Sequence, residues 1–437
     1  MQKASSKYKL KIQFSRLGNG FFWSGLSAVL TSGINFLTAV LIARILSKEG
    51  FGEYLVVQST AMTIAGISQL AIGYTATKYI SEYRIVSKHR VSRIIGACAI
   101  TSAVLAFFAS VCTVLSSDWI AKDLLGRPDL VFGLKISAFM IFFNIMNGYQ
   151  LGVLAGLESF KILAKLNLVG MLTGSSLLVG LAYIYGINGL FIGLSVTSFL
   201  QWILTSLFLR AEFKIHQIKA IYKDCLKELP VFYGFALPAA ISGFISMPVL
   251  WIGNVYLAKS LDGFNAVAGF AAANGFRTIV LFVPSILSRV SLSVLNNYKG
   301  ERNYQGYRQV FALNLKISLV VSIFTSIAIG IFGIPLLGLY GGDFKSSYST
   351  LLLLLAAGCI EATFQALYQH IQSNGKMWSS LFLIVLPRDL MLVMLIAYLV
   401  PNFGANGLAT SLVISWALSL LILSFIVNKF DKLNLWK

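Results

Sequence analysis

Residues 185–198 read YGINGLFIGLSVTS, and residues 403–416 read FGANGLATSLVISW. The two stretches align without a gap, Tyr185 on Phe403. Gly186, Asn188, Gly189, Leu190 and Leu194 recur as Gly404, Asn406, Gly407, Leu408 and Leu412. A second echo pairs LIARILSKEGFGEYLVV (41–57) with YLAKSLDGFNAVAGFAAA (256–273) across a small insertion, and Gly126 in LLGRPDL matches Gly342 in LYGGDF in nearly the same register. One half of the chain is therefore a copy of the other.

Composition says what each copy is made of. Of 437 residues 57% are hydrophobic and 12% charged, with a mean hydropathy of +0.79, far too apolar for a soluble domain. A helix needs about 20 apolar residues to cross about 30 Å of hydrocarbon. Twelve stretches offer that length, at about 20–43, 52–73, 94–115, 132–155, 162–184, 188–209, 231–256, 266–289, 310–333, 349–372, 378–400 and 404–427. The sequence predicts an all-α membrane protein with six spans in each copy.

The charge balance is strongly basic, 35 Lys and Arg against 16 Asp and Glu. A nucleic-acid binder would gather such an excess in one patch. Here 25 basic residues fall in seven alternate connecting segments, among them the N-terminus, 74–93, 210–228 and 289–308, while the opposite loops hold six. Short basic loops stay on the cytoplasmic side, so both termini are expected there and nucleic acid is excluded as a partner. The basic N-terminus, followed by a long span without a cleavage pattern, reads as an uncleaved first span. Cys98, Cys112, Cys225 and Cys359 lack the spacing of a metal site or disulfide framework, and packing is their expected role.

Six spans per copy return the chain to its starting side, so the copies share one orientation and are related by an axis along the membrane normal. The expected domains are an N-terminal lobe (1–209), a cytoplasmic linker (210–229) placed as a hinge, and a C-terminal lobe (230–437). Transporters of this build hold cargo between lobes that open alternately to each side. A channel or a scaffold is the bland alternative.

The stretches FFWSGLSAVLTSGINFLTAVLIARILSKEGFGEYLVVQS (21–59), GLESFKILAKLN (156–167), YGINGL and LYGGDFKSSYSTLLLLLAAG (339–358) resemble the polysaccharide-biosynthesis flippases. These form the Wzx-type branch of the superfamily that also holds the multidrug and toxic-compound extruders (MATE) and the lipid II flippase. The resemblance implies a MATE-like fold around a central cleft in a bacterial cytoplasmic membrane. It also implies movement of undecaprenyl-pyrophosphate-linked oligosaccharide, an O-antigen or capsule or exopolysaccharide unit, to the outer leaflet. Besides this cargo and the membrane lipids, a polysaccharide polymerase and a chain-length regulator are expected partners. The first, second, seventh and eighth spans would face the cleft.

Against that background FAAANGFRTIV (270–280) stands out, because Arg277 lies in mid-span. A charge there costs roughly 2.5–3.5 kcal/mol and persists where it meets a cavity or a partner. About eleven residues, or about 16 Å, separate Arg277 from either end of its span, beyond snorkelling reach. A guanidinium grips phosphate bidentately, so Arg277 is the leading substrate contact, with an ion pair to Glu361 or Asp389 as the structural alternative. Asn274, one turn earlier, would bind sugar hydroxyls or bridge helices.

Glu361 heads a polar stripe with Gln365, Gln369 and Gln372. Desolvation favours the neutral form of a carboxyl. Glu361 is thus the first candidate for coupling to a proton gradient, or else neutralises Arg277 or Arg388. Its counterpart in the first copy is Asn144, with Asn147 a turn later, and both are candidate substrate contacts. LPRDLML (386–392) puts Arg388 and Asp389 in mid-span as further coupling candidates, each expected to pair with another helix because neighbours diverge by about 100°. Lys135 and Lys316 lie near span ends, where they snorkel or line the path. Pro238, Gly243 and Pro248 in the seventh span, and Pro284 in the eighth, are expected to interrupt helices and serve gating.

No cofactor is expected beyond a H+ or Na+ gradient or the membrane potential. The chain carries no Walker loop and no metal spacing among His89, His216 and His370, so an enzyme is not expected. A cation-coupled multidrug exporter of the same fold, and a non-transport scaffold for polysaccharide assembly, are the rival readings.

Overall fold

The computed structural model describes residues 29–69, 72–84, 86–223, 225–228, 237–374 and 377–431. The basic N-terminus, residues 20–28 of the first expected span and the last six residues lie outside them. Hydrocarbon offers no water to exposed peptide groups, so a spanning backbone must close its hydrogen bonds internally. The described residues accordingly form helices and short turns. In order these are α1 (Val29–Ile45), α2 (Lys48–Ser68), α3 (Ile72–Tyr83), α4 (Lys88–Trp119), α5 (Val131–Gly156), α6 (Phe160–His216), α7 (Leu237–Ala258), α8 (Gly263–Gly300), α9 (Tyr304–Ile331), α10 (Gly333–Gly338), α11 (Tyr348–Ser373), α12 (Met377–Ser380) and α13 (Leu386–Asp431). Each of the twelve segments read from the sequence carries helix. By length and apolarity alone, seven helical runs can cross a membrane, or eight if the bent pair α2–α3 is one span.

Two of those runs are double. α6 and α13 each break at one glycine of the repeated motif, Gly186 (φ 59°, ψ −138°) and Gly404 (φ 54°, ψ −131°). Only glycine visits that region cheaply, so the motif marks where one span turns into the next without a loop. Three residues on, a Cβ at Gly189 would lie 2.0 Å from the Leu181 carbonyl oxygen, and one at Gly407 would lie 2.3 Å from that of Leu399. Leu181 and Leu399 are themselves counterparts in the register that pairs Gly186 with Gly404, so the two copies pack their kinks through the same contact.

The chain forms two compact units, Met1–Ile45 with Val57–Phe244, and Leu46–Val56 with Ile245–Lys437. In the first, α5 packs against α3, α4 and α6. Ile72, Ile80, Ile94, Leu154, Leu166 and Leu209 form its core toward the end expected to be cytoplasmic. In the second, α11 plays the part of α5, packing against α8, α9 and α13 around Leu295, Phe311, Phe364, Leu367 and Leu423. The second unit also takes up residues 46–56. The Lys48 ammonium donates to the Asp343 carbonyl oxygen and the Ser346 hydroxyl, both at 3.0 Å, and Phe51 packs its ring near Tyr340 and Phe344.

Two expectations need correction. The segment 74–93, read as a loop, begins with the helical residues of α3, whose Ile72, Thr75, Ala76 and Ile80 are buried while Tyr74 is exposed. Its apolar face is short but regular, and packing on α5 supplies what length does not. Over its described residues, from Leu237 on, the seventh span is not interrupted. Pro238 lies in the first turn of α7, Gly243 and Pro248 lie within the unbroken helix, and Pro284 lies within the unbroken α8, because one missing hydrogen bond does not end a helix held by its neighbours. Residues 231–236 of the expected seventh span lie outside the described residues. The connection after α6 is tied to α4 within the first unit. The Ile221 amide donates to the Ser92 carbonyl oxygen at 3.0 Å, and Glu228, 4% exposed, accepts from Arg90 at 3.2 Å and Arg93 at 2.7 Å.

Alanine at Gly186 or Gly404 meets open space but an unsuitable backbone. Each substitution should cost about 1–3 kcal/mol and lower the melting midpoint of the detergent-solubilised protein, while Gly180→Ala, equally uncrowded and regularly helical, should not. Glu228→Ala leaves Arg90 and Arg93 without this carboxylate, and limited proteolysis should then cut residues 217–228 faster than in the native chain.

Candidate functional site

The charged residues of mid-span come together within the second unit. Arg277 projects from α8 and is 8% exposed; Glu361 projects from α11 and is 7% exposed. Their contact, Nη2 to Oε2, is 2.8 Å. The other guanidinium branch, Nη1, donates to Asn274 Oδ1 at 3.0 Å from one turn back on α8. Gln365 Nε2 donates to Glu361 Oε1 at 3.3 Å, so both ends of the pair are braced by an amide on their own helix. Gly358 eases the approach, since a Cβ there would stand 3.2 Å from Arg277 Cγ, a tight contact. The site thus follows from spacing: i, i+3 on α8, and i, i+3, i+7 on α11. Arg277 Nε is buried with no hydrogen-bond partner, a donor left over after the fork is filled.

Arg388 and Asp389 form the second pair, on α13. Asp389 Oδ1 takes Arg388 Nε at 2.8 Å and Nη2 at 2.7 Å, and Asp389 Oδ2 accepts from the Ser246 hydroxyl of α7. The expectation that these neighbours would each find another helix is therefore wrong for their charges. The long arginine stem folds back across the divergence between them, and only the outer carboxylate oxygen reaches α7. The Arg388 guanidinium also lies 4.6 Å from the centre of the Trp416 ring. It is within electrostatic range of Glu361.

The other candidates are dispersed. In the first unit Asn144 on α5 donates to the Met140 carbonyl oxygen at 2.9 Å and the Ser198 hydroxyl of α6 at 3.1 Å, the helix-bridging role. Asn147, 9% exposed, keeps Oδ1 buried and unpartnered. Lys135 bridges to Asp118 of α4 at 2.9 Å, and Lys122 meets the same carboxylate at 2.9 Å. Lys316 is exposed on α9. Pro248 lies just beyond Ser246 on α7, and Pro284 is buried two turns beyond Arg277 on α8.

Sequence reading missed Ser246, Gly358 and Trp416. Trp416 closes the repeated motif and could have been found there; a lone serine or glycine among apolar residues gives no signal. Among the described residues no group of His, Cys, Asp and Glu is arranged to hold a metal ion.

Comparison with solved structures places the fold. The lipid II flippase MurJ, in an inward closed conformation, matches with a TM-score of 0.77 over 93% of this chain and 87% of its own, at 14% identity. An inward-facing multidrug resistance MATE family transporter of the MOP superfamily gives 0.73 over 92% and 96%, at 16% identity. A MOP superfamily transporter from Pyrococcus furiosus, described as having a binding pocket of reverse polarity, gives 0.66 over 94% and 96%, at 16% identity. Likeness at such identities concerns the fold alone. Among curated proteins, the EPS I polysaccharide export inner membrane protein EpsE of Ralstonia nicotianae is 25% identical over 202 residues, 45% of each chain, as is its namesake in Ralstonia solanacearum. The chain spans about half the length of these relatives. The family model described as Polysaccharide biosynthesis protein matches residues 17–295, well over half of the sequence, and the chain belongs to that family.

Proposed function

We propose that the chain is a flippase that carries undecaprenyl-pyrophosphate-linked oligosaccharide, such as an O-antigen, capsule or exopolysaccharide unit, from the inner to the outer leaflet of a bacterial cytoplasmic membrane by alternating access. The family membership supports the pathway. The observation that carries the chemistry is the Arg277–Glu361 pair at 2.8 Å, deep in the second unit. A guanidinium whose branches are filled by one carboxylate and one amide is a phosphate site occupied by an internal substitute.

On this reading the pyrophosphate displaces Glu361 from Arg277. The freed carboxylate stays within electrostatic reach of Arg388. Once cargo has left at the outer face, Glu361 takes up a proton there and gives it to the cytoplasm as its pair with Arg277 re-forms, so a proton moves inward for each cargo moved outward. The unpartnered Asn147 Oδ1 supplies a ready acceptor for a sugar hydroxyl, with Asn144 and Asn274 as further amides and Lys135 and Lys316 at the ends of the path. Pro238, Gly243, Pro248 and Pro284 give α7 and α8 the points at which they bend. Both termini face the cytoplasm.

The test is translocation of a fluorescent lipid-linked oligosaccharide in proteoliposomes, with and without a proton gradient. Arg277→Ala should abolish transport. It should also cost about 3–5 kcal/mol of stability, because it strands a buried carboxylate. Arg277→Met combined with Glu361→Gln removes both charges, should recover that stability and should still not transport. Glu361→Gln alone should bind the pyrophosphate head more tightly and lose its response to the proton gradient. Full gradient-driven transport by the double variant would end the proposal.

A further inference from the structure

On the flank of the second unit, α9 and α11 part to leave a groove of about 400 Å³ lined by Ser326 and Gly330 from α9 and Tyr348, Leu352, Ala356 and Cys359 from α11. The α11 residues follow one another at i, i+4, i+8 and i+11, a single face of the helix. The polar groups of the floor have partners. The Tyr348 hydroxyl donates to the Gly330 carbonyl oxygen at 3.0 Å, Ser326 to that of Leu355 at 3.4 Å, and the Cys359 thiol to Ser326 at 3.1 Å. The rim is apolar and open, with Ile331 71% exposed and Leu352 44%.

The groove is not an automatic product of the fold. In the first unit the same helix crossing is fixed by the same bond, with the Ser110 hydroxyl donating to the Ala138 carbonyl oxygen at 2.9 Å. Ser110 is the repeat counterpart of Ser326 in the register that pairs Gly126 with Gly342, and Ala138 that of Leu355 in the register that pairs Asn144 with Glu361. In the latter register the counterparts of Ala356 and Cys359 are Phe139 and Phe142. Two rings stand in one copy where the other has a methyl and a thiol.

The groove has a direction and a charge at one end. From Tyr348 to Cys359 α11 advances about 16 Å, half of the about 30 Å of hydrocarbon, so the groove spans one leaflet. Its shallow end lies where α9 finishes and α11 begins, on the outer face by the distribution of basic residues. Exposed Lys345 precedes Tyr348 by three residues, just ahead of the end of α11 that opens the groove.

The geometry points to a bound phospholipid: an outer-leaflet glycerophospholipid lays one acyl chain in the α9–α11 groove and sets its phosphate against Lys345. Straight hydrocarbon suits a wall whose polar groups are already bonded, and a lysine at headgroup level offers the anion its counter-charge. This lipid is a resident of the second unit and not the transported cargo, and the inference is independent of the proposed function.

A glycerophospholipid bearing a photoreactive group on its acyl chain, incorporated in nanodiscs with the full chain, tests the site by mapping where the label lands. Label should concentrate on peptides of α9 and α11 over the equivalent α4 and α5, and Lys345→Ala should reduce it. Ala356→Phe with Cys359→Phe gives α11 the two residues that α5 carries at the counterpart positions, and should bring α9–α11 labelling down to the α4–α5 level. The reciprocal Phe139→Ala with Phe142→Cys should raise labelling of α4–α5. Equal labelling of the two helix pairs in the native protein, labelling of α9–α11 unchanged by the two phenylalanines, or preferential capture of a polyprenyl-phosphate probe in place of the phospholipid would each overturn the assignment.

Discussion

Inside a bilayer the backbone has nowhere to place a free amide or carbonyl, and this constraint shapes every feature described above. It makes the described residues helical wherever they are apolar, and it confines sharp changes of direction to residues that can turn within a turn of helix. Gly186 and Gly404 do this, with nearly identical torsions in two stretches of sequence half a chain apart. Where no glycine of that kind is present, a proline is absorbed and the helix runs on, as in α7 and α8.

The same absence of water decides how charge is held. Arg277 with Glu361, and Arg388 with Asp389, enter the second unit as pairs whose members lean on amides, a hydroxyl and an indole ring. A buried pair of this sort adds little stability by itself but is costly to break from one side. At the matching level of the first unit the sequence has Asn144, and the contact it makes is a neutral bond to Ser198. One scaffold therefore occurs twice, with ionisable chemistry in one copy only.

Much of this is legible in the sequence. The repeat, the helical class, the positions of the spans and the isolation of Arg277 come from periodicity and composition, which act over long windows. The Arg277–Glu361 contact is among the alternatives the sequence leaves open, because four mid-span charges have few ways to neutralise one another. What escapes is local and depends on a third element. Arg388 turns back on Asp389 because Ser246 and Trp416 take the outward positions, and Gly358 matters only because α8 passes against it. The helix α3 reads as a loop because its apolar face, four residues long, becomes sufficient only once α5 lies beneath it.

Lys48 bonds to Asp343, 295 positions further along the chain. At a ribosomal pace of about 5–20 residues per second, roughly 15–60 s separate the synthesis of the two partners. Residues 46–56 thus emerge well before the partners that hold them, so completion of the second unit awaits the synthesis of Asp343 and Phe344. A nascent polypeptide stalled midway would carry that segment without its binding surface, a natural handle for membrane chaperones and quality-control proteases.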